Sequence, residues 1–285
     1  MACFEWVTWK YNAASMAVVA GWRTEPVSRQ HLWGATMSYQ SAPSRVYQID
    51  VVDQVSRAYH AVIDNAQLVG EMALLPYLIV LGIELVALLV SGEGMFVRAL
   101  AGLIDAVGVL LFGTIFIVRW HRFILRGEAV SGGLIPPGWS AFLFAGVKLG
   151  VAMFIGWLIL MAIAALPPHF LTAPLAMVGG IALSLAALRV SLIFPAAAIE
   201  RPISLQTAWA WLTGNFWRLF LCALACCVPF AIVEMVVVWL ASLFPAFAWI
   251  VFQAAQLAVS FVNAAVVAAL LSNIYRDIET IIVPA

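Results

Sequence analysis

Residues 72–90 read MALLPYLIVLGIELVALLV, nineteen residues with one ionisable group, Glu84. As a helix rising 1.5 Å per residue, this run is about 28 Å long, close to the ~30 Å hydrocarbon thickness of a bilayer. The same texture continues to Leu271, broken only by short polar joints. Six spans follow, at Met72–Val90, Val97–Val118, Ala141–Leu166, Ala173–Ile193, Leu219–Phe244 and Ala246–Leu271. The expected fold is therefore all-α, a bundle of six transmembrane helices.

Composition supports the same class. Of 285 residues, 65% are hydrophobic and 10% charged, and the mean hydropathy is +1.05. Soluble domains carry about 25% charged residues, so this surface belongs in lipid. The net charge is zero, which argues against a nucleic-acid partner. Cys222, Cys226 and Cys227 share one apolar run and Cys3 stands alone, so the cysteines read as small packing residues. His31, His60, His121 and His169 are scattered, without the spacing of metal ligands. No metal or other cofactor is implied.

The joints after spans one, three and five are very short: Ser91-Gly92-Glu93-Gly94, Pro167-Pro168-His169 and the turn around Pro245. Short joints predict three antiparallel hairpins. The bases concentrate on the other side, with Arg45 and Arg57 before span one, then Arg119, Arg122, Arg126, Arg201, Arg218 and Arg276. Arg98 alone lies near the opposite side. By the positive-inside rule both termini are cytoplasmic. The hairpins also resemble weak parallel repeats, each ending in an Arg (Arg119, Arg189, Arg276) followed by an acid (Glu128, Glu200, Glu279).

Residues 46–71 predict an amphipathic helix leading into the membrane domain of 72–285. Val52, Val55, Tyr59, Val62, Ala66 and Val69 share one face at helical spacing. Asp53, Arg57, His60, Asp64, Gln67 and Glu71 share the other, with Asp53–Arg57 and His60–Asp64 at i,i+4. A second interfacial segment begins at Ser204 as N-cap, with Leu205, Trp209, Leu212 and Phe216 as its apolar side and Trp211 and Trp217 as anchors. Residues 1–45 read as a disordered tail, and native translation is expected to begin at Met37.

Ionisable groups within the spans cost about 2.5–3.5 kcal/mol each at the membrane centre, so they should face protein or water. Glu84, Asp105 and Glu234 fall roughly 9–13 Å from the end opposite the bases, and Lys148 and Arg189 roughly 25 Å from it. Gln253, Gln256, Ser260 and Asn263 form one stripe on span six that could link the two levels. Functionally, these groups line an ion or substrate pathway that converges on a hydrated cavity. Structurally, they are interhelical glue, pairwise satisfied and dry. Arg119, Arg122 and Arg126, at i, i+3 and i+7, could bind anionic lipid headgroups or simply anchor the topology. Gly146 and Gly150 form a GxxxG predicted to bring helices close, with Lys148 snorkelling inward.

The stretch Leu188-Arg189 through Phe194-Pro195 to Ile199-Glu200 leads into Ala208-Trp209 and then Leu212-Thr213-Gly214-Asn215-Phe216-Trp217-Arg218-Leu219. With Val118-Arg119-Trp120-His121-Arg122-Phe123 and Gly127-Glu128, it resembles a group of uncharacterised bacterial multi-helix membrane proteins. These are related to the membrane domain of some glycerophosphodiester phosphodiesterases. The resemblance implies a bacterial cytoplasmic membrane and six helices. It transfers no catalytic residue, because phosphodiester chemistry in those fusions belongs to a separate soluble domain.

The residues contain no HExxH, P-loop, GxSxG or nucleophile beside a base. The expectation is a non-enzymatic inner-membrane component, a scaffold or accessory factor in lipid or envelope handling. Its partners would be the bilayer, anionic headgroups and a protein not identifiable from sequence. The alternative is a small transporter or permease using the intramembrane acids.

Overall fold

The computed structural model describes residues 47–90, 94–128, 133–164, 169–243 and 248–282. The tail and the Met37 start lie outside these, as do Ser91-Gly92-Glu93, Pro167-Pro168 and Pro245 of the expected hairpin joints. Among the described residues all regular structure is helical: α1 (Val51–Ile63), α2 (Ala66–Val90), α3 (Met95–Arg126), α4 (Trp139–Ala164), α5 (His169–Val190), α6 (Ile193–Ala198), α7 (Leu205–Trp211), α8 (Phe216–Ser242) and α9 (Ala248–Ile282). Six of these, α2–α5, α8 and α9, are long and apolar enough to cross a membrane. The chain has the character of a multi-pass membrane protein.

Two helices run on beyond the apolar spans read from hydropathy. Helix α3 continues through Arg119 and Arg122 to Arg126, where Gly127 at φ +65° caps it and its N–H bonds the Phe123 carbonyl. A left-handed C-cap suits glycine because no Cβ meets the carbonyl. Helix α9 runs eleven residues past Leu271, to Ile282. The lead-in helix is shorter than its stripe suggested. Asp50 caps α1 by accepting from the Val52 and Asp53 amides, and the helix pauses at Asp64–Asn65 before α2 begins. Its buried positions are Gln54, Ala58 and Val62, whereas Val52 is exposed.

The largest helix–helix contacts join α2 to α3, α8 to α9, α1 to α9, α3 to α9 and α4 to α5. Helix α9 is the hub, and 56% of its most apolar stretch is buried against 0% of that of α4. The core gathers at one end of the bundle, around Trp120, Phe116, Met72, Leu192, Leu212, Leu219, Ile274 and Tyr275. Cys222 and Cys226 are fully buried in it.

Close packing of α4 on α5 does not use the GxxxG. A Cβ at Gly150 would meet nothing within 4 Å, and one at Gly146 only Phe194 at 3.8 Å. The tight positions are Gly156 against Leu183 and Gly179 against Leu160. A glycine pair marks a groove, and here the leucines of the partner helix enter grooves one to two turns further on. Lys148 is exposed, with its Nζ 4.4 Å from the centre of the Phe144 ring one turn toward the start of α4.

Candidate functional site

The arginines predicted at one face of α3 sit in a dense polar network. Arg122 is buried and donates Nε and Nη2 to the two carboxylate oxygens of Glu128, at 2.7 and 3.0 Å. Its Nη1 donates to the carbonyls of Ala198 (3.1 Å) and Pro137 (3.3 Å), and Glu200 stands 3.5 Å away. Arg126 donates to the Ile199 carbonyl and Arg119 to the Gly133 and Leu134 carbonyls. The six-residue α6 thus has its last carbonyls capped by cations, the favourable end of its dipole for positive charge. Gly138 makes the approach possible: at φ +79°, a Cβ there would lie 2.4 Å from the Ala198 carbonyl oxygen. Two of the acids noted in the repeat, Glu128 and Glu200, therefore meet one guanidinium, while Glu279 pairs with Arg201 at 2.7 Å.

A second cluster was not legible in the sequence. Asp277 on α9 accepts from Tyr47 Oη (3.0 Å), Gln54 Nε2 (2.6 Å) and Arg57 Nη2 (2.7 Å). Arg57 also bonds Asp53, the expected i,i+4 pair. The hydrogen bond from Arg57 to Asp277 strengthens the hold of that guanidinium on its proton, and burial together with the Asp277 charge raises the Tyr47 phenol above its ordinary value. The available signal was Gln54, a polar residue on the inward face of α1. Beside it, Asn215 accepts from the Ile49 amide at 3.0 Å and donates to the Tyr47 carbonyl, and Arg218 donates to the Ile49 carbonyl at 3.0 Å. Gly214, at φ +84°, turns the chain so that Asn215 faces inward. The Gly-Asn-Phe-Trp-Arg stretch is a clamp on the extended chain before α1.

At the next level Ser204 caps α7, accepting from the Thr207 amide. Helix α7 ends at Trp211, so Leu212 and Phe216 leave the expected stripe. Leu212 and Ala208 are buried, Trp211 rests on Tyr275, and Trp209 and Trp217 are exposed. Arg189 lies 4.0 Å over the Trp209 ring and donates to Thr213 Oγ1.

The predicted pathway residues separate into two places. Gln253 Nε2 donates to Glu84 Oε2 at 3.0 Å, joining α9 to α2. Asp105 Oδ1 is shielded from solvent and has no hydrogen-bond partner among the described residues. Ser260 Oγ donates to Glu234 Oε1 at 2.9 Å, joining α9 to α8. Among the described residues Gln256 and Asn263 make no such link.

A cleft of about 590 Å³ lies between α9 and α3 on one side and α4, α5 and α6 on the other. Its walls are mainly apolar, among them Leu110, Phe142, Leu188, Phe194, Val267 and Leu271. Thr114, His121, Ser191, Ser260 and Asn263 are its polar members. His121, one of the scattered histidines, is buried with Nδ1 2.7 Å from Ser272 Oγ. Gly146 lines the cleft too, so the glycine expected to bring helices together instead leaves space between them. Glu84, Asp105, Glu234, Gln253 and Gln256 are not part of its lining. Among the described residues no group of three His, Cys, Asp or Glu side chains could hold a metal.

No protein-family model matches the chain, and no curated protein or solved structure matches it. The fold and site therefore rest on their own geometry.

Proposed function

We propose that this is a non-enzymatic protein of a bacterial inner membrane that holds a lipid-like amphiphile in the cleft beside α9, as an accessory factor in lipid or envelope handling. The observation that carries the reading is the cleft, whose apolar walls have the volume of a ligand pocket, about 300–1,000 Å³. The surfaces of α4 and α5 around it are exposed and apolar, as at Phe144, Val151, Phe154, Met177, Val178 and Ile181. A cleft opening among such residues draws its occupant from hydrocarbon. The six spans form three antiparallel hairpins, with α1 at the cytoplasmic surface and both termini cytoplasmic. The supporting observation is that Arg119, Arg122, Arg126, Arg201, Arg218 and Arg276 all belong to the same end. The sequence resemblance to membrane domains of some glycerophosphodiester phosphodiesterases agrees with that location.

The transporter reading is weaker, because Glu84 and Glu234 each already receive a donor from α9 and neither lines the cleft.

Gly146→Leu tests the proposal, since a Cβ there meets only the Phe194 ring, at 3.8 Å, and no backbone, while Gly146 lines the cleft. Native mass spectrometry of the purified protein should find lipid that survives detergent washing, and less of it in Gly146→Leu. Equal lipid in both proteins would overturn the reading.

A further inference from the structure

The polar groups of the cleft have spent their hydroxyl donors. Thr114 Oγ1 donates to the Leu111 carbonyl at 2.9 Å and receives Trp139 Nε1 at 3.0 Å. Ser191 Oγ donates to the Leu188 carbonyl at 2.7 Å, and Ser260 Oγ donates to Glu234. Asn263 differs: its Oδ1 is shielded from solvent and has no partner among the described residues. A buried acceptor without a donor is costly, so an occupant that supplies one is favoured over one that does not. Among the described residues no Asp, Glu, Lys or Arg lines the cleft, which leaves a phosphate or ammonium group without a counter-charge in apolar surroundings.

We propose that the cleft selects an uncharged lipid bearing a free hydroxyl, which donates to Asn263 Oδ1 while its hydrocarbon chain lies along the Leu110, Phe142 and Val267 walls. This deepens the lipid-holding reading and rests on it. An alcohol also accepts from the amide nitrogen, so one hydroxyl satisfies both halves of the side chain. Asn263 fixes the choice between a lipid alcohol and its capped counterpart, while the apolar walls bind either chain.

The test incubates delipidated protein in detergent with equimolar diacylglycerol and the methyl ether of the same diacylglycerol, then measures the retained lipid by mass spectrometry. Wild-type protein should favour the free alcohol about three- to tenfold, the range of one net hydrogen bond. Asn263→Leu should retain both equally, and Asn263→Ala reads the same loss if the leucine variant does not fold. Equal retention of the two lipids by wild type overturns the hydroxyl inference and leaves the lipid-holding cleft standing. A preference that persists in the Asn263 variants also overturns it. Retention of neither above the Gly146→Leu level removes the lipid-holding reading and this inference with it.

Discussion

At the basic end of the bundle, guanidiniums, carboxylates and amides from α1, α3, α6, α8 and α9 interlock over buried aromatic rings. At the other end, the same long helices present Leu89, Met95, Phe96, Leu103 and Trp239 outward, and polar links thin to Glu84–Gln253 and Glu234–Ser260. The difference follows from the solvent. In lipid, apolar side chains gain little by leaving one hydrocarbon for another, so helix pairs rely on close packing and hydrogen bonds. Near the surface, water restores the hydrophobic effect, and polar side chains can fix one arrangement of the chain. The basic end is where the bundle acquires its shape. The cleft lies where the α4–α5 pair departs from that packed base.

Breaking Arg122 should strain the comparison most. Arg122→Ala leaves the Ala198 and Pro137 carbonyls without their donor and Glu128, itself 39% exposed, with Arg126 alone; at about 1–3 kcal/mol per unsatisfied carbonyl the cost is about 2–6 kcal/mol. Thermal unfolding in detergent should show the drop, and Arg122→Lys should recover little, because an ammonium cannot make the forked contact. An unchanged midpoint in Arg122→Ala would mean that the network does not organise the base.

Asp277→Ala should come next, at about 1.5–3 kcal/mol, the range for hydrogen bonds to charged groups. Its particular sign is early protease cleavage around α1, ahead of global unfolding, because the Tyr47, Gln54 and Arg57 donors lose their common acceptor. Cleavage at the wild-type rate would refute the role of Asp277 in holding α1. Gly138→Ala should cost about 1–3 kcal/mol through its left-handed backbone and the clash with Ala198, again read by thermal unfolding. At the opposite end, Glu84→Gln should change stability by only about 0.6 kcal/mol, since an amide can still meet Gln253. A loss as large as that of Arg122→Ala would show that the two ends are not so different.

Tyr59 illustrates how much of the base was hidden in the sequence. Pro229 lacks an N–H, which frees the Ala225 carbonyl four residues earlier in α8. The Tyr59 hydroxyl reaches the Ala225 and Cys226 carbonyls at 3.3 and 3.2 Å. The proline was visible, but nothing local said which helix would supply the donor. Asn263 is similar: its place on the α9 stripe was readable at three- and four-residue spacing, but its lack of a partner was not. Helices α3 and α9 run on beyond their apolar spans for a related reason. Hydropathy reports solubility in lipid, whereas Arg122, Ser272 and Asn273 are buried in protein.

The sequence by itself determined that the chain is helical, with six apolar spans and its bases gathered toward one side. Those properties depend on run length, helical spacing and local charge, which each segment carries alone. Only the tertiary structure decided that Asp277 receives α1, that Arg122 caps α6, that Glu84 and Glu234 each take a separate partner on α9, and that a cleft opens beside Asn263. In an apolar chain many helix faces look alike, and only packing selects which few polar groups meet.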